Sequence, residues 1–236
     1  GLVVYKYANE IFSIGGELAN VVRGSQVGGP SMLGVGIVNS LPKLIAERII
    51  APALQADRPV RIRCQEASLE KLLSELAIHR LDIVLSDQPL PRGLGLRAYN
   101  HRLGESGLSF FAQRAVGRQY RTGFPMSLNE APMLLPSPDS ALRRRLDEWF
   151  DGEGITPRIV AEIDDSALLK AFGEDGAGIF PAPVAIESQL EYTYHVRLIG
   201  AAGSLKETYY AISPERKLKH PAVVAISEAA REKLFT

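Results

Sequence analysis

The sequence contains almost no cysteine, no long apolar run and no secretion signal. Cys64 is the single cysteine, which excludes an internal disulfide and a multi-cysteine zinc site and is typical of a reducing, cytoplasmic compartment. No stretch approaches the roughly 18 apolar residues of a membrane span. The N-terminal residues lack the basic start, apolar centre and small-residue cleavage site of a signal peptide. Because the chain begins with Gly1 rather than Met, we expect a fragment of a longer protein.

An excess of positive charge is also missing. Lys and Arg together number 27, as do Asp and Glu, so the formal net charge is zero. A domain that grips duplex DNA normally has a basic excess, because neutralising phosphates drives its affinity. The balance therefore predicts that this chain does not bind DNA by itself. The run Arg143-Arg144-Arg145 is interpreted as a solvated helix face rather than a nucleic-acid patch.

The first segment, residues 1–24, has an apolar seam with a period near that of a coiled coil. Two interpretations stay open: an amphipathic helix packed on its own domain, or a short helix that pairs two protomers. Gly15 and Gly16 weaken either helix by about 1 kcal/mol each relative to Ala. The breaker-rich residues 24–30 are typical of a linker. The seam residues are Val4, Ala8, Ile11, Gly15, Leu18 and Val22.

Strands and helices alternate after the linker in two similar units. A β-α-β-α-β order predicts a parallel sheet with right-handed crossovers. Within the first unit, Cys64 falls on the apolar face of its strand with Val60 and Ile62, and we expect it to be an inert core residue. The first unit has predicted strands at 32–38, 60–65 and 81–85, a helix opened by residues 39–42, and a helix at 69–80 capped by Ser68.

The second unit repeats this arrangement, and two stretches connect the units. An extended stretch, residues 98–113, leads out of the first unit, and the chain returns around residues 200–203. Such a double crossing is typical of two hinged α/β lobes, and ligands of open α/β sheets bind beyond the carboxyl ends of the strands. The predicted strands are 133–135, 158–163, 178–180 (ending at residues 181–183), 195–199 and 208–212. The predicted helices run from Ser140 to about Asp151, over 167–172 after the cap Asp164-Asp165-Ser166, from near Val184, and over 221–235.

Enzyme and cofactor motifs are missing. Gly34 and Gly36 lie inside a predicted strand and Asn39 stands at the third glycine position, so the dinucleotide fingerprint is broken. The sequence has no nucleophile elbow, no Walker loop and no zinc-protease motif. We therefore expect no catalytic residues and no cofactor, and the sequence leaves the question of a metal open.

Polar residues gather in the loops that follow the predicted strands, and they form the candidate ligand site. Ser40 and Ser140 stand at predicted helix N-termini, where they could hold an anion or act only as N-caps. Uncompensated, Asp87 and Asp139 would repel a carboxylate, so either the ligand is a cation or amine, or Arg and Lys residues neutralise the two aspartates. The candidate residues are Asn39, Ser40, Ser86, Asp87, Asn100, His101, Ser137, Asp139, Ser140, Phe180 and Pro181.

Five segments resemble the effector-binding domain of LysR-type transcriptional regulators, and within that family the NhaR branch, which is named for a sodium/proton antiporter gene. Two stretches are the most distinctive. One is the segment LLSELAIHRLDIVLSDQPLP at residues 72–91, and the other is Arg-Lys-Leu-Lys-His-Pro-Ala-Val at residues 216–223, within the segment 210–230. The other segments are residues 34–54, 98–112, 141–183 and 210–230. The resemblance runs from Tyr5 onward.

The resemblance implies a fold, a division into lobes and a function. The fold is two Rossmann-like lobes joined by a two-segment hinge, as in type 2 periplasmic binding proteins, with lobe I at 28–103 and 203–236 and lobe II at 104–202. Residues 1–24 would end a linker helix, and the family's N-terminal winged helix-turn-helix, through which the intact activator would bind DNA, is not in this sequence. Self-association as a dimer or tetramer is implied, with a small effector in the cleft and no membrane partner.

The nature of the effector is left as alternatives. The NhaR resemblance makes Na⁺ or Li⁺ a hypothesis, and a small metabolite is the other possibility. A pH response would rest on the four histidines, His79, His101, His195 and His220. A stand-alone solute-binding protein of the periplasmic type, binding a small metabolite, is the alternative function.

Overall fold

The computed structural model describes residues 31–55, 60–91, 93, 95–214 and 221–230, together with Ile11, Gly15 and Leu234. Apart from Ile11 and Gly15, the predicted N-terminal helix and linker lie outside the described residues, as do His220 and most of residues 216–223. The strands are β1 Ser31–Val38, β2 Val60–Ala67, β3 Ile83–Ser86, β4 Tyr99–Gln113, β5 Pro132–Leu135, β6 Arg158–Glu162, β7 Phe180–Pro183 and β8 Val196–Ser213. The helices are α1 Lys43–Leu54, α2 Leu69–Ala77, α3 Arg114–Gly117, α4 Ala141–Glu153, α5 Ser166–Glu174, α6 Glu187–Thr193 and α7 Pro221–Ala229.

A six-stranded sheet with the order β2-β1-β3-β8-β4-β7 forms the centre of the molecule. Strand β1 pairs in parallel with β2 and β3, as the β-α-β-α-β pattern predicts. Strands β5 and β6 form a separate parallel pair, and a bridge between Met133 and Ile179 connects β5 to the chain just before β7. This mixed α/β architecture confirms the predicted fold class.

Strands β4 and β8, of 15 and 18 residues, connect the half that contains β1–β3 with the half that contains β7. Residues 99–107 of β4 pair antiparallel with residues 206–213 of β8, which lies beside β3. Beyond a register shift, residues 109–113 pair with residues 196–201, on the side where β7 joins β4. The two predicted strands at 195–199 and 208–212 are thus parts of the single strand β8. Because both long strands take part in both halves, they are the two-segment connection that the sequence predicts.

Helix ends follow from local chemistry. The Ser140 hydroxyl accepts the Arg143 N–H at 3.0 Å and begins α4, and Asp165 caps α5 through the N–H groups of Ala167 and Leu168. Helix α2 begins after Ser68, as predicted, but ends at Ala77 rather than at Arg80. His79 has a φ of 55°, and such a left-handed residue terminates a helix.

Two other sequence interpretations are wrong. Cys64 is exposed rather than in the core. Its neighbour Arg63 is exposed as well, and since consecutive strand residues point to opposite faces, both faces of this edge strand are open at that point. Strand β7 begins at Phe180 rather than at Gly178, and Pro181 and Pro183 lie within it, which is compatible with β7 being the last strand of the six-stranded sheet.

The three arginines of α4 do not form a uniformly solvated face either. Arg143 is buried because its guanidinium pairs with Asp147 at 2.8 Å and with Glu162, at the end of β6, at 2.6 Å. It also donates to the Pro136 carbonyl at 3.1 Å. Arg144 is exposed, as predicted.

Two helix glycines are expected to respond oppositely to replacement by Ala. A Cβ at Gly173 in α5 would lie 2.2 Å from Phe180 Cδ1, and Phe180 is fully buried, so Gly173→Ala should lower the free energy of unfolding by about 1–3 kcal/mol. A Cβ at Gly152 in α4 meets nothing within 4 Å, so Gly152→Ala should raise it by up to about 1 kcal/mol. Urea unfolding followed by the fluorescence of Trp149, the single tryptophan, measures both. Equal effects at the two positions would contradict the contact between α5 and β7.

Candidate functional site

A cavity of about 290 Å³ lies where the loops after β1, β2 and β3 face the first turns of α4 and α5. Its volume is near the lower end of the range of about 300–1,000 Å³ that ligand pockets occupy. The residues that line it are Val38, Asn39, Ser40, Pro42, Ser68, Leu69, Asp87, Gln88, Pro136, Asp139, Ser140, Leu142, Ile163, Asp164, Ser166, Leu169, Lys170, Pro181, Pro183 and Glu207. The cavity is thus suited to a small molecule or ion.

Two buried carboxylates form one side of the cavity. Asp87 follows β3 and is 6% exposed; burial raises its pKa, against a hydrogen bond from Ser40 and the charge of Arg145. Glu207, on β8, is 1% exposed and accepts a hydrogen bond from the Tyr209 hydroxyl at 2.9 Å. Burial, and then the charge of Asp87, raises the pKa of Glu207 to about 7, against the effects of Tyr209, Arg145 and Lys170. Both groups are therefore easier to protonate than ordinary carboxylates.

A buried ammonium group also lines the cavity. Lys170, on α5, is 4% exposed, and its Nζ donates to the Ser166 carbonyl at 2.8 Å. Burial lowers the pKa of Lys170 to about 8, opposed by the charges of Glu207 and Asp165 and aided by that of Lys43. The carboxylates of Glu207 and Asp165 influence Lys170 from a distance, and within the described ranges it makes no direct ion pair. The buried Ser166 hydroxyl has no hydrogen-bond partner in the same part of the chain.

Arg145 is a second cation close to Glu207. Its Nη2 lies 3.7 Å from Glu207 Oε1, and its Nη1 donates to the Lys206 carbonyl at 3.0 Å. Arg145 is not among the residues that line the cavity. Its charge therefore reaches Glu207 without facing a molecule bound in the cavity.

The side chains that line the cavity carry more negative than positive charge. Asp87, Asp139, Asp164 and Glu207 are acidic, and Lys170 is basic. A cleft lined mainly by one sign of charge attracts the opposite sign. Among the residues that the structure describes, no group of three or more His, Cys, Asp or Glu side chains is placed to hold a metal ion. The arrangement thus favours a ligand with a positively charged group over one bound through a multidentate metal centre.

Comparison with protein families identifies the chain. Residues 29–235 match the model of the LysR substrate binding domain. The chain belongs to this family. LysR proteins are transcriptional regulators, and the resemblance noted in the sequence is thereby confirmed. None of the described helices has the length and apolar character needed to cross a membrane.

Individual LysR proteins are similar to the chain over most of its length. The transcriptional activator protein NhaR of Escherichia coli K12 is 32% identical over all of this chain and 77% of its own length. The structure resembles full-length CbnR in complex with its target DNA, with a TM-score of 0.69, 16% identity, and 98% of this chain and 80% of CbnR covered. It also resembles the CcmR regulatory domain of Synechocystis PCC6803 in complex with 2-PG, with a TM-score of 0.63, 12% identity, and coverage of 87% and 99%. At these identities the structural likenesses establish the fold alone.

Six of the eleven predicted site residues line the cavity of this LysR domain. They are Asn39, Ser40, Asp87, Asp139, Ser140 and Pro181. Ser140 is the N-cap of α4, whereas α1 begins only after Pro42 and has no side-chain cap. Ser40 instead hydrogen-bonds Asp87. That these six residues bind a ligand stays a prediction.

The other five predicted residues lie away from the cavity lining. Ser86 accepts the Gln88 N–H at 3.0 Å, and Asn100 accepts the Leu90 N–H at 2.8 Å. The ring of His101 hydrogen-bonds Ser213 at 3.0 Å across the β4–β8 pair. The Ser137 carbonyl accepts the Ser140 N–H at 3.0 Å, and Phe180 is buried in the core against Phe111. Each of these groups already has a structural partner.

The three histidines that the structure describes also lie outside the cavity lining. His195 pairs with Glu174 at 2.9 Å on the surface, and His79 ends α2. His101 lies in the β4–β8 pair. A pH response of the cavity itself would therefore come from Glu207 and Lys170 rather than from these three histidines.

The sequence interpretation missed Lys170 and Glu207, the two most deeply buried charges of the cavity. A signal for Glu207 was present, because Leu205, Glu207, Tyr209 and Ala211 alternate along β8 and all are buried. A carboxylate at an inward position of an alternating strand indicates a special environment. For Lys170 the signal is its spacing from the buried Gly173, three residues later on the same side of α5.

Proposed function

We propose that this chain is the effector-sensing domain of a cytoplasmic transcriptional activator, and that its cavity binds a small effector through a positively charged group. The observation that carries the proposal is the pair of buried carboxylates, Asp87 and Glu207, on one side of the cavity. Buried carboxylates are costly unless a cation compensates them. The domain is proposed to act by binding alone, without catalysis and without a cofactor.

Closure of the two lobes would convert binding into a signal. The cavity lies between loops of the β1–β3 half and the first turns of α4 and α5, and the halves are connected by β4 and β8. An effector that binds both halves favours the closed arrangement over the open one, and only such unequal binding shifts the two states. The proposed lobes are residues 28–103 with 203–236, and residues 104–202.

Assembly and DNA binding are assigned to other parts of the regulator. NhaR is a transcriptional activator protein, and the solved structure of full-length CbnR contains its target DNA. We propose by analogy that the intact protein forms a dimer or tetramer and binds DNA through an N-terminal helix-turn-helix domain. The net charge of zero in this chain supports that division.

The first test compares monovalent cations with one another. We expect the Tm of the domain to rise in NaCl or LiCl beyond its value in KCl at equal ionic strength if an inorganic cation is the effector, because a ligand of the folded state stabilises it. If the cation is an organic amine, the three salts should give equal Tm values and amines should raise the Tm. In either case the rise should weaken below pH 7, since Glu207, whose pKa is about 7, then takes up a proton.

Two Asp→Asn variants separate cavity binding from a general effect of salt. Asp87→Asn should remove most of the cation-dependent rise in Tm, because it removes a buried carboxylate of the cavity. Asp151→Asn, at an exposed position of α4, should leave the rise unchanged. An effector whose binding does not respond to Asp87→Asn or Glu207→Gln would contradict the proposed function.

A further inference from the structure

The cavity contains a positive charge as well as negative ones, and this arrangement limits the effector further. Lys170 and Ser166 lie on α5, whereas Asp87 follows β3 and Glu207 lies on β8. Their charges influence one another, yet in the part of the chain that the structure describes Lys170 forms no direct ion pair with either carboxylate. Opposite charges thus face the same cavity without neutralising each other by contact.

The side chains of Lys170 and Ser166, both on α5, can donate further hydrogen bonds. A lysine ammonium has three N–H donors, and one of them is directed at the Ser166 carbonyl. The Ser166 hydroxyl is buried without a partner among the described residues. The N–H groups of Ala167 and Leu168 are already occupied by Asp165, so these two groups are not available to a ligand. The capacity to hold an anion lies in the side chains of Lys170 and Ser166.

Asp87 and Glu207 can accept further hydrogen bonds and can pair with a positive charge. An ionised carboxylate offers about four acceptor positions. Asp87 takes hydrogen bonds from Ser40 and from its own backbone N–H, and Glu207 takes one from Tyr209, with Arg145 at a longer distance. An ammonium group in the cavity could therefore reach acceptors on both carboxylates that the protein leaves open.

We propose that the effector is a small zwitterion of the amino-acid class, with its amino group bound by Asp87 and Glu207 and its carboxylate bound by Lys170 and Ser166. The proposal rests on the proposed function and defines the chemistry of the same site. A bare cation would leave Lys170 uncompensated and would be repelled by it. A bare carboxylate would be repelled by Asp87 and Glu207. A molecule with both charges compensates both sides, and the cavity volume of about 290 Å³ restricts it to a small one.

The test uses probes of matched shape that differ in charge. Calorimetric titration and Tm measurement are made with 4-aminobutyrate, butylamine and butyrate, with NaCl and LiCl, and with the proteinogenic amino acids. At least one zwitterion is expected to bind about tenfold or more tightly than the amine, the carboxylate or the inorganic cations. The proposal would be overturned if the amine or an inorganic cation binds as tightly as the zwitterion of highest affinity. That result would leave the proposed cationic effector intact, so the two failures can be told apart.

Two variants should change the preference in opposite ways. Lys170→Met should remove the advantage of the zwitterion over the matched amine, because it removes the partner of the carboxylate. Asp87→Asn should weaken the zwitterion and the amine together. Lys71→Met, at an exposed position of α2, should change neither affinity. Unchanged discrimination between zwitterion and amine in Lys170→Met would also overturn the proposal.

Discussion

Lys170→Met is expected to raise the free energy of unfolding of the unliganded domain at pH 7 by about 2 kcal/mol. Burial lowers the pKa of Lys170 from 10.5 to about 8, and one pKa unit corresponds to about 1.4 kcal/mol, so the charged side chain costs the folded state about 3–4 kcal/mol. Methionine fills a similar space without that charge. We expect part of the gain to be lost because the Ser166 carbonyl loses the hydrogen bond that Lys170 Nζ donates.

The pH dependence of this gain has a defined sign. Below pH 8 Lys170 is charged in the folded and the unfolded chain, so its full cost is present. Between about pH 8 and 10.5 only the unfolded chain keeps the proton, so the stability of the wild type rises relative to Lys170→Met. Urea unfolding at pH 7 and at pH 10 measures the difference, with Lys71→Met as a control that should change little. A loss of stability in Lys170→Met at pH 7 would mean that Lys170 is a structural ion-pair partner rather than a group available to a ligand.

Phe110→Ala is expected to lower the free energy of unfolding by about 3–5 kcal/mol, through lost contacts and the cavity left behind. Phe110 lies on β4, is fully buried, and has ring centroids of Trp149, Phe150 and Phe124 within 5.4, 5.8 and 6.1 Å. These rings join β4 to α4, whose N-terminus borders the cavity. The variant should therefore destabilise the half of the molecule that contains α4.

The fluorescence of Trp149 reports directly on this cluster. The urea midpoint of Phe110→Ala should fall strongly, whereas Met126→Ala, at a position that is 55% exposed, should change the free energy of unfolding by less than about 0.5 kcal/mol. A Phe110→Ala effect as small as that of Met126→Ala would contradict the aromatic packing between β4 and α4.

Much of the fold could be predicted from the sequence because its signals are local. The alternation of apolar segments, Ser68 before α2 and Ser140 before α4 located most elements to within a few residues. The single long strand β8 could not be recognised, because Gly200 and Gly203 within it have the composition of a turn. Only the pairing with β4 on both sides of the register shift makes these residues extended.

Part of the candidate site could also be predicted from local sequence signals. Asp87, Asn39 and Ser40 follow strands, so the rule for the carboxyl ends of parallel strands placed them at the cavity. Lys170 and Glu207 lie within a helix and a strand, where charged side chains are ordinarily expected to point to solvent. Their burial depends on the approach of α5 to β8, which is a tertiary contact that local patterns do not encode.

A crystal structure of this chain grown with the compound that raises its Tm most would test the central claim most directly. We expect the compound to lie in the cavity between β3 and α5, with its positively charged group within hydrogen-bonding distance of Asp87 or Glu207 and its anionic group near Lys170. A compound bound outside this cavity, or inside it without contact to either carboxylate, would contradict the assignment of the effector site.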